Sequence, residues 1–189
     1  MSPILGIYAS QMSGHLWPTS SYESIATTTV GAGGTSTITF SSIPSTYSHL
    51  QIRILSRSTF ATFNTSVIIR ANSDSASNYS YHSLSGDGAS ASSYGVATDT
   101  LGISQMYPGA SATSGIFGTG VIDILDYANT NKYKTIRSLA GYDRNGAGII
   151  AFMSSGWRST SAISTLTFTT DGNFAQYTSI ALYGIKGVA

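Results

Sequence analysis

The stretch from Phe117 to Ile150 constrains the fold more than any other part of the chain. It contains Gly-Thr-Gly-Val-Ile-Asp-Ile-Leu-Asp-Tyr, the polar connection Ala128-Asn129-Thr130-Asn131, a second β-rich run from Lys134 to Asp143, and the turn Arg144-Asn145-Gly146 before a third run. Runs of β-branched and aromatic residues separated by Asn- and Gly-containing turns predict a β-meander, three consecutive antiparallel neighbours in one sheet. Asn129 and Asn131 tolerate the left-handed backbone that a tight connection needs.

The alphabet of the rest agrees. Charged residues make up 9% of the chain, against about 25% in an average soluble domain. Glu occurs once, at Glu23, and Lys only at 132, 134 and 186, so the residues that coat exposed helix faces are nearly missing. Ser, Thr, Tyr, Ile and Val suit strands and turns. The 189 residues suit one domain with a proper core. A net charge of +1 with scattered basic residues gives no basic stripe for nucleic acid. There is no cysteine, hence no disulfide frame or thiol chemistry. The first residues lack the basic and long apolar regions of a signal peptide, and no run approaches the roughly 18 apolar residues of a membrane span.

Residues 1–20 differ in character from the remainder of the chain. Ile4, Leu5, Ile7, Tyr8, Met12, Leu16 and Trp17 are apolar, interrupted by Gly6 and Gly14 and closed by Pro18. An exposed run of this kind is adhesive, so it packs on its own sandwich, on sister subunits or on a larger partner. The expectation is a short attachment arm, 1–20, with Ile4, Leu5, Ile7, Tyr8, Leu16 and Trp17 as its contacts, followed by a β-sandwich domain, 21–189. In that domain, strands are expected at Tyr22–Val30, Thr35–Ser41 across a Gly31–Gly34 hairpin, Leu50–Leu55, Val67–Arg70, Gly148–Trp157, Ile163–Thr170 and Thr178–Lys186, with Asp171-Gly172-Asn173 as a turn. Residues 72–95 read as a long irregular region, of the kind that is often functional. Eight to ten strands without a convincing helix predict an all-β, antiparallel, jelly-roll-like sandwich.

No catalytic constellation emerges. Asp123 and Asp126 are three apart on a strand and point to opposite faces; Asp126 is better placed to cap the following turn. His15, His49 and His82 form no His-x-His or His-x-x-x-His pair, so neither metal nor cofactor is expected. Ser85-Gly86-Asp87-Gly88 with Asp74 resembles a calcium loop only weakly, for the closing Glu is missing. Tyr79, Tyr81, His82, Asp87, Tyr94 and Tyr107 are the candidate recognition residues, because loops on a rigid scaffold carry binding and aromatic rings give contact area at low entropic cost. Trp157, at a strand end, is expected in the core.

Several segments are similar to a family of small virion structural proteins of tailed bacteriophages. They are Ile4-Leu5-Gly6-Ile7-Tyr8-Ala9-Ser10-Gln11, Tyr22-Glu23-Ser24-Ile25-Ala26-Thr27, Ile38 to Tyr47 with His49-Leu50-Gln51-Ile52-Arg53, Ile122 to Asn129, and Ala181-Leu182-Tyr183-Gly184-Ile185-Lys186. The resemblance implies a non-enzymatic virion component assembled in the host cytoplasm: a tail-fibre or fibre-tip module that attaches by its arm and displays the sandwich to the host surface. A capsid decoration protein that stabilises the head shell is the alternative, and a glycan-binding or glycan-cleaving module a more distant one. Expected partners are further copies of the chain as a homotrimer, other virion proteins and a host-surface glycan, with no nucleic acid and no membrane insertion.

Overall fold

A computed structural model describes residues 21–187, apart from the side chains of 103–105. The arm expected at 1–20, with the six contact residues expected on it, lies outside the described residues. The described chain is an all-β sandwich of twelve antiparallel strands in two sheets. In chain order they are β1 (Tyr22–Thr29), β2 (Thr35–Phe40), β3 (His49–Ser56), β4 (Asn64–Ala71), β5 (Tyr79–Gly86), β6 (Ala91–Asp99), β7 (Gly102–Pro108), β8 (Gly118–Leu125), β9 (Lys134–Asp143), β10 (Gly148–Trp157), β11 (Leu166–Phe174) and β12 (Ser179–Ile185). The larger sheet runs β1-β12-β3-β8-β9-β10-β5-β6 and the smaller β2-β11-β4-β7.

The meander is present as β8, β9 and β10, neighbours in the larger sheet. Its second turn is built as the residues dictate. Asn145 (φ 59°) and Gly146 (φ 93°) both take the left-handed region, and Arg144 N–H donates to the Ala147 carbonyl at 2.6 Å. Two positive φ angles match the right-handed twist of the strands they join.

Period-two patterning sets the core. On β3, Leu50, Ile52 and Ile54 face inward; on β8, Ile122 and Ile124; on β12, Ile180 and Leu182; the smaller sheet answers with Ile38, Phe40, Val67, Ile69, Leu166 and Phe168. Phe40 and Phe168 meet edge to face at 5.9 Å between ring centres, a favoured geometry for aromatic quadrupoles. Inward glycine serves the same end. A Cβ on Gly120 of β8 would overlap the hydroxyl of Tyr107, which crosses from β7. Trp157 is 2% exposed, in the core as expected.

Three expectations need correction. Gly31–Gly34 does not close a hairpin: β1 pairs with β12 and β2 with β11, so the segment carries the chain from one sheet to the other. Asp171-Gly172-Asn173 does not end a strand. It is an irregularity inside β11, where the register with β2 jumps between Thr169 and Phe174 and Gly172 has φ 71°, as in a bulge. The supposedly irregular region 72–95 holds β5 and most of β6, paired with each other from Tyr79 to Asp99.

Candidate recognition surface

The β5–β6 hairpin holds five of the six candidate recognition residues and exposes three of them, His82, Asp87 and Tyr94. Its tip is organised by Asp87, whose Oδ1 accepts from Ala89 N–H at 2.9 Å and Ser90 N–H at 2.7 Å. These two donors hold its carboxyl below the usual carboxylate range, and Gly88 supplies the left-handed residue (φ 92°). Behind the tip the Ser85 and Ser92 hydroxyls meet at 2.9 Å. β6 is the last strand of its sheet, and all its residues are exposed except Val96 and Asp99, which are half-buried. His82 is exposed on β5, and a Cβ on its register partner Gly95 would lie 2.7 Å from the imidazole Cδ2. The glycine thus lets the ring lie flat on the neighbouring strand. Tyr94, 42% exposed, packs edge-on against Tyr81 at 5.9 Å.

Tyr79, Tyr81 and Tyr107 are not loop residues. They lie on β5 and β7 with side chains 1%, 7% and 0% exposed. The Tyr79 hydroxyl accepts from Ala71 N–H at 3.0 Å and donates to the Asp74 carbonyl at 3.3 Å. Burial pushes its pKa up to about 12, and burial with Asp99 nearby raises that of Tyr81. Period-two inward placement took these rings into the sandwich, where phenols replace the aliphatic residues of the other strands. Asp74 and Asp87 do not converge on a cation, since β5 separates the loops that hold them. Asp74 instead accepts from the Asn78 amide at 2.9 Å, the Trp157 indole N–H at 2.7 Å and the Ala76 N–H at 2.9 Å. With the Asn78 contact foremost, these donors keep its carboxyl below the usual range against the opposing effect of burial.

The outward face of the larger sheet adds a feature the sequence reading missed. Val121, Leu139, Phe152 and Leu84 are direct register partners on β8, β9, β10 and β5, forming one apolar row across four strands. The next row is polar: Gln51, Asp123, Arg137, Ser154 and His82. Gln51 Nε2 donates to Asp123 Oδ1 at 3.0 Å and to the Tyr22 hydroxyl at 3.1 Å, and Arg137 lies 3.5 Å from Asp123 Oδ2. A shallow groove of about 750 Å³ runs between the rows, lined by His82, Leu84, Val121, Asp123, Arg137 and Phe152 among others. The signal for this row was strand register: alternation on β10 makes Ala151 and Met153 inward and Ile150 and Phe152 outward, and only the pairing of four strands aligns Phe152 with its neighbours.

The remaining charged groups hold the scaffold together. Asp123 points outward and Asp126 follows the strand at φ 50°, so the two acids do not converge. The Asp126 carboxylate pairs with Lys132, which lowers its pKa, and lies 3.5 Å from His49 Nδ1; the following turn is closed by the Asp126 backbone carbonyl, which accepts from Asn129 N–H at 3.0 Å, rather than by its side chain. Glu23 pairs with Lys186 and accepts from the Tyr47 hydroxyl at 2.8 Å, and both contacts lower its pKa. The Tyr47 ring covers Gly184, where a Cβ would lie 2.5 Å from both Cδ atoms. Lys134 is 1% exposed and its ammonium donates to the carbonyls of Asn129, Lys132 and Thr160; burial pushes its pKa down. Arg57 donates to the carbonyls of Ala110, Ala112, Thr113 and Ile116, fixing the β7–β8 connection. Among the described residues no three His, Asp or Glu side chains cluster as a metal site would require.

Comparison with protein-family models, curated proteins and solved structures returns no match for this chain.

Proposed function

We propose that the chain is a non-enzymatic structural component of a bacteriophage virion, a surface fibre or fibre-tip module whose β5–β6 hairpin contacts the host surface. The observation that carries this reading is how the residues divide over the larger sheet. The described segments that resemble virion proteins fall on β1, β12, β3 and β8, four consecutive neighbours, together with β2 and the turn holding Tyr47. Glu23, Tyr47, Gly184 and Lys186, all within those segments, form one interlocked cluster. This half is scaffold. At the opposite edge, β6 neighbours only β5 among the described strands and is an almost wholly exposed strand of Ala, Ser, Tyr, Gly and Thr with Val96 and one charge, Asp99. An open strand edge is a template for contact with another molecule, and uncharged hydroxyl-rich side chains suit hydrogen bonding to a glycan or a protein surface.

The test is a virion carrying His82→Ala with Tyr94→Ser, both exposed positions. Folding of the isolated variant is checked by its thermal melt, and adsorption to host cells is expected to fall by tenfold or more. Adsorption unchanged in a folded variant would overturn the reading and favour capsid decoration.

A further inference from the structure

The outward face of the larger sheet carries Leu55, Leu84, Val121, Leu139, Ile150 and Phe152, each between 39% and 57% exposed. The other large apolar side chains exposed among the described residues, such as Phe63, Tyr133 and Tyr177, are aromatics on connections and edges. An antiparallel sheet with one solvated face normally carries polar residues there, and a contiguous exposed apolar patch marks a place of contact. The nearest charges are already engaged: Arg137 with Asp123, and Arg53 with the Tyr183 ring at 5.6 Å and Gln51 at 3.3 Å. The row therefore suits an occupant that is apolar and uncharged.

We propose that Ile4 to Trp17 of the same chain lies across this row, covering Val121, Leu139, Phe152 and Leu84. The segment contains Ile4, Leu5, Ile7, Tyr8, Met12, Leu16 and Trp17, and no Asp, Glu, Lys or Arg precedes Glu23. The described chain begins beside the face in question. Ser21 accepts from Lys186 N–H and leads into β1, the edge strand of the same sheet. β8 is three strands from β1 and β5 is six, which at about 4.8 Å per strand is roughly 14 and 29 Å. Along the strands, Tyr22 is level with Ile185, His49 and Leu125, four residues from Val121, or roughly 13 Å. The straight path from Ser21 is then about 20 Å to Val121 and about 32 Å to Leu84. Nine extended residues reach about 30 Å and fourteen about 46 Å, so Met12 and Ile7 bracket the far end of the row, while Leu16 and Trp17 fall over its approach. A tether of this length gives the segment an effective concentration of about millimolar, far above that of a sister chain at micromolar protein. This decides for the same chain over a neighbour.

The full chain carrying the photo-cross-linking residue p-benzoylphenylalanine in place of Phe152 tests the proposal. Heavy- and light-isotope chains are mixed, irradiated and digested. Links from position 152 to peptides within 4–17 are expected only inside one isotope class. Their yield should be at least tenfold above that from the same probe at Thr39, exposed on the smaller sheet. Heavy-to-light links would show a sister chain on the face and overturn the proposal, as would links to other segments or a yield no higher than the control. A second arm uses Leu139→Asp, which places a charge beneath the segment. Chymotrypsin cleavage after Tyr8 and Leu16 should accelerate by tenfold or more, and an unchanged rate overturns the proposal. Neither arm depends on host adsorption, so the result stands apart from the fate of the virion reading.

Discussion

Tyr79 offers the sharpest test of the fold, because its ring and its hydroxyl can be removed separately. The last pair between β4 and β7 is Ile69–Gly102. Beyond it, Ala71 N–H donates to the Tyr79 hydroxyl at 3.0 Å, so the phenol takes over from a strand partner. Tyr79→Phe keeps the ring and leaves that buried N–H unpaired, at a cost of about 1–3 kcal/mol. Tyr79→Ala removes the buried ring as well, for about 3–5 kcal/mol. For a domain of this size each kcal/mol lowers Tm by roughly 2–4 °C, so the two variants separate in a thermal melt. The phenol also gives a pH signature. Its pKa is about 12 in the folded chain, against about 10 when unfolded. Between those values the folded state holds a proton that the unfolded state has lost, so stability is complete below pH 10 and declines as pH rises towards 12. Two pKa units correspond to about 3 kcal/mol. Tyr81, Tyr127 and Tyr142 are shifted in the same direction, so Tyr79→Phe should keep an alkaline decline but a shallower one. Urea titrations at pH 8, 10 and 11 measure it. A Tyr79→Ala chain melting within two degrees of the parent, or a Tyr79→Phe chain with an unaltered alkaline slope, would refute the buried placement.

Three further outcomes rest on the scaffold. Gly184→Ala drives a methyl into the Tyr47 ring and should cost about 1–3 kcal/mol; the same change in a Tyr47→Ala background should cost much less, which a double-mutant cycle by denaturant titration checks. Arg57→Met frees the carbonyls of Ala110, Ala112, Thr113 and Ile116, so amide exchange in 109–117 should quicken roughly tenfold or more with β9 and β10 unchanged. Lys134→Met leaves three carbonyls without their ammonium and should cost about 1–3 kcal/mol at neutral pH. Because burial lowers the Lys134 pKa from 10.5, the folded parent binds fewer protons than the unfolded chain just below that value, and its contribution to stability rises with pH there. The variant should lack that rise.

Most of the strand framework was legible because aliphatic alternation is explicit in β3, β8 and β12. The ends of β10, Gly148–Trp157, were legible too. β5 was not legible because its alternation is inverted. Tyr79, Tyr81, Ser83 and Ser85 face inward while Leu84 faces out, so a pattern that equates apolar with buried finds no strand. The same inversion hid both halves of the candidate surface: it presented buried phenols as loop aromatics and concealed Leu84 as one end of an exposed row. The Gly31–Gly34 turn was misassigned for a different reason. Glycines specify a reversal of the chain, but whether the return strand joins the same sheet is decided by β11 and β12, more than a hundred residues later.

The side chains facing the interior change steadily in character across the larger sheet. β12, β3 and β8 present Ile and Leu, each worth about 1.5–3 kcal/mol when buried. β9 and β10 mix Ile136, Ala140 and Met153 with Ser138 and Ser155, and β5 ends in Ser83 and Ser85. β6 buries no side chain fully. Apolar stabilisation is therefore greatest on β12, β3 and β8 and falls towards the β6 edge, as it does on the other edge strand, β1, which also buries no side chain fully; local opening costs least where stabilisation is least. A strand with the recognition role proposed for β6 would gain from that position. It can adjust its edge to a partner without disturbing the Ile and Leu layers, because the layers that close the sandwich lie four strands away. Tyr81 and Trp157 mark the boundary: rings at the inner margin of the exposed hairpin bury the area that serine cannot, and Asp74 ties the Trp157 indole to the turn that starts β5.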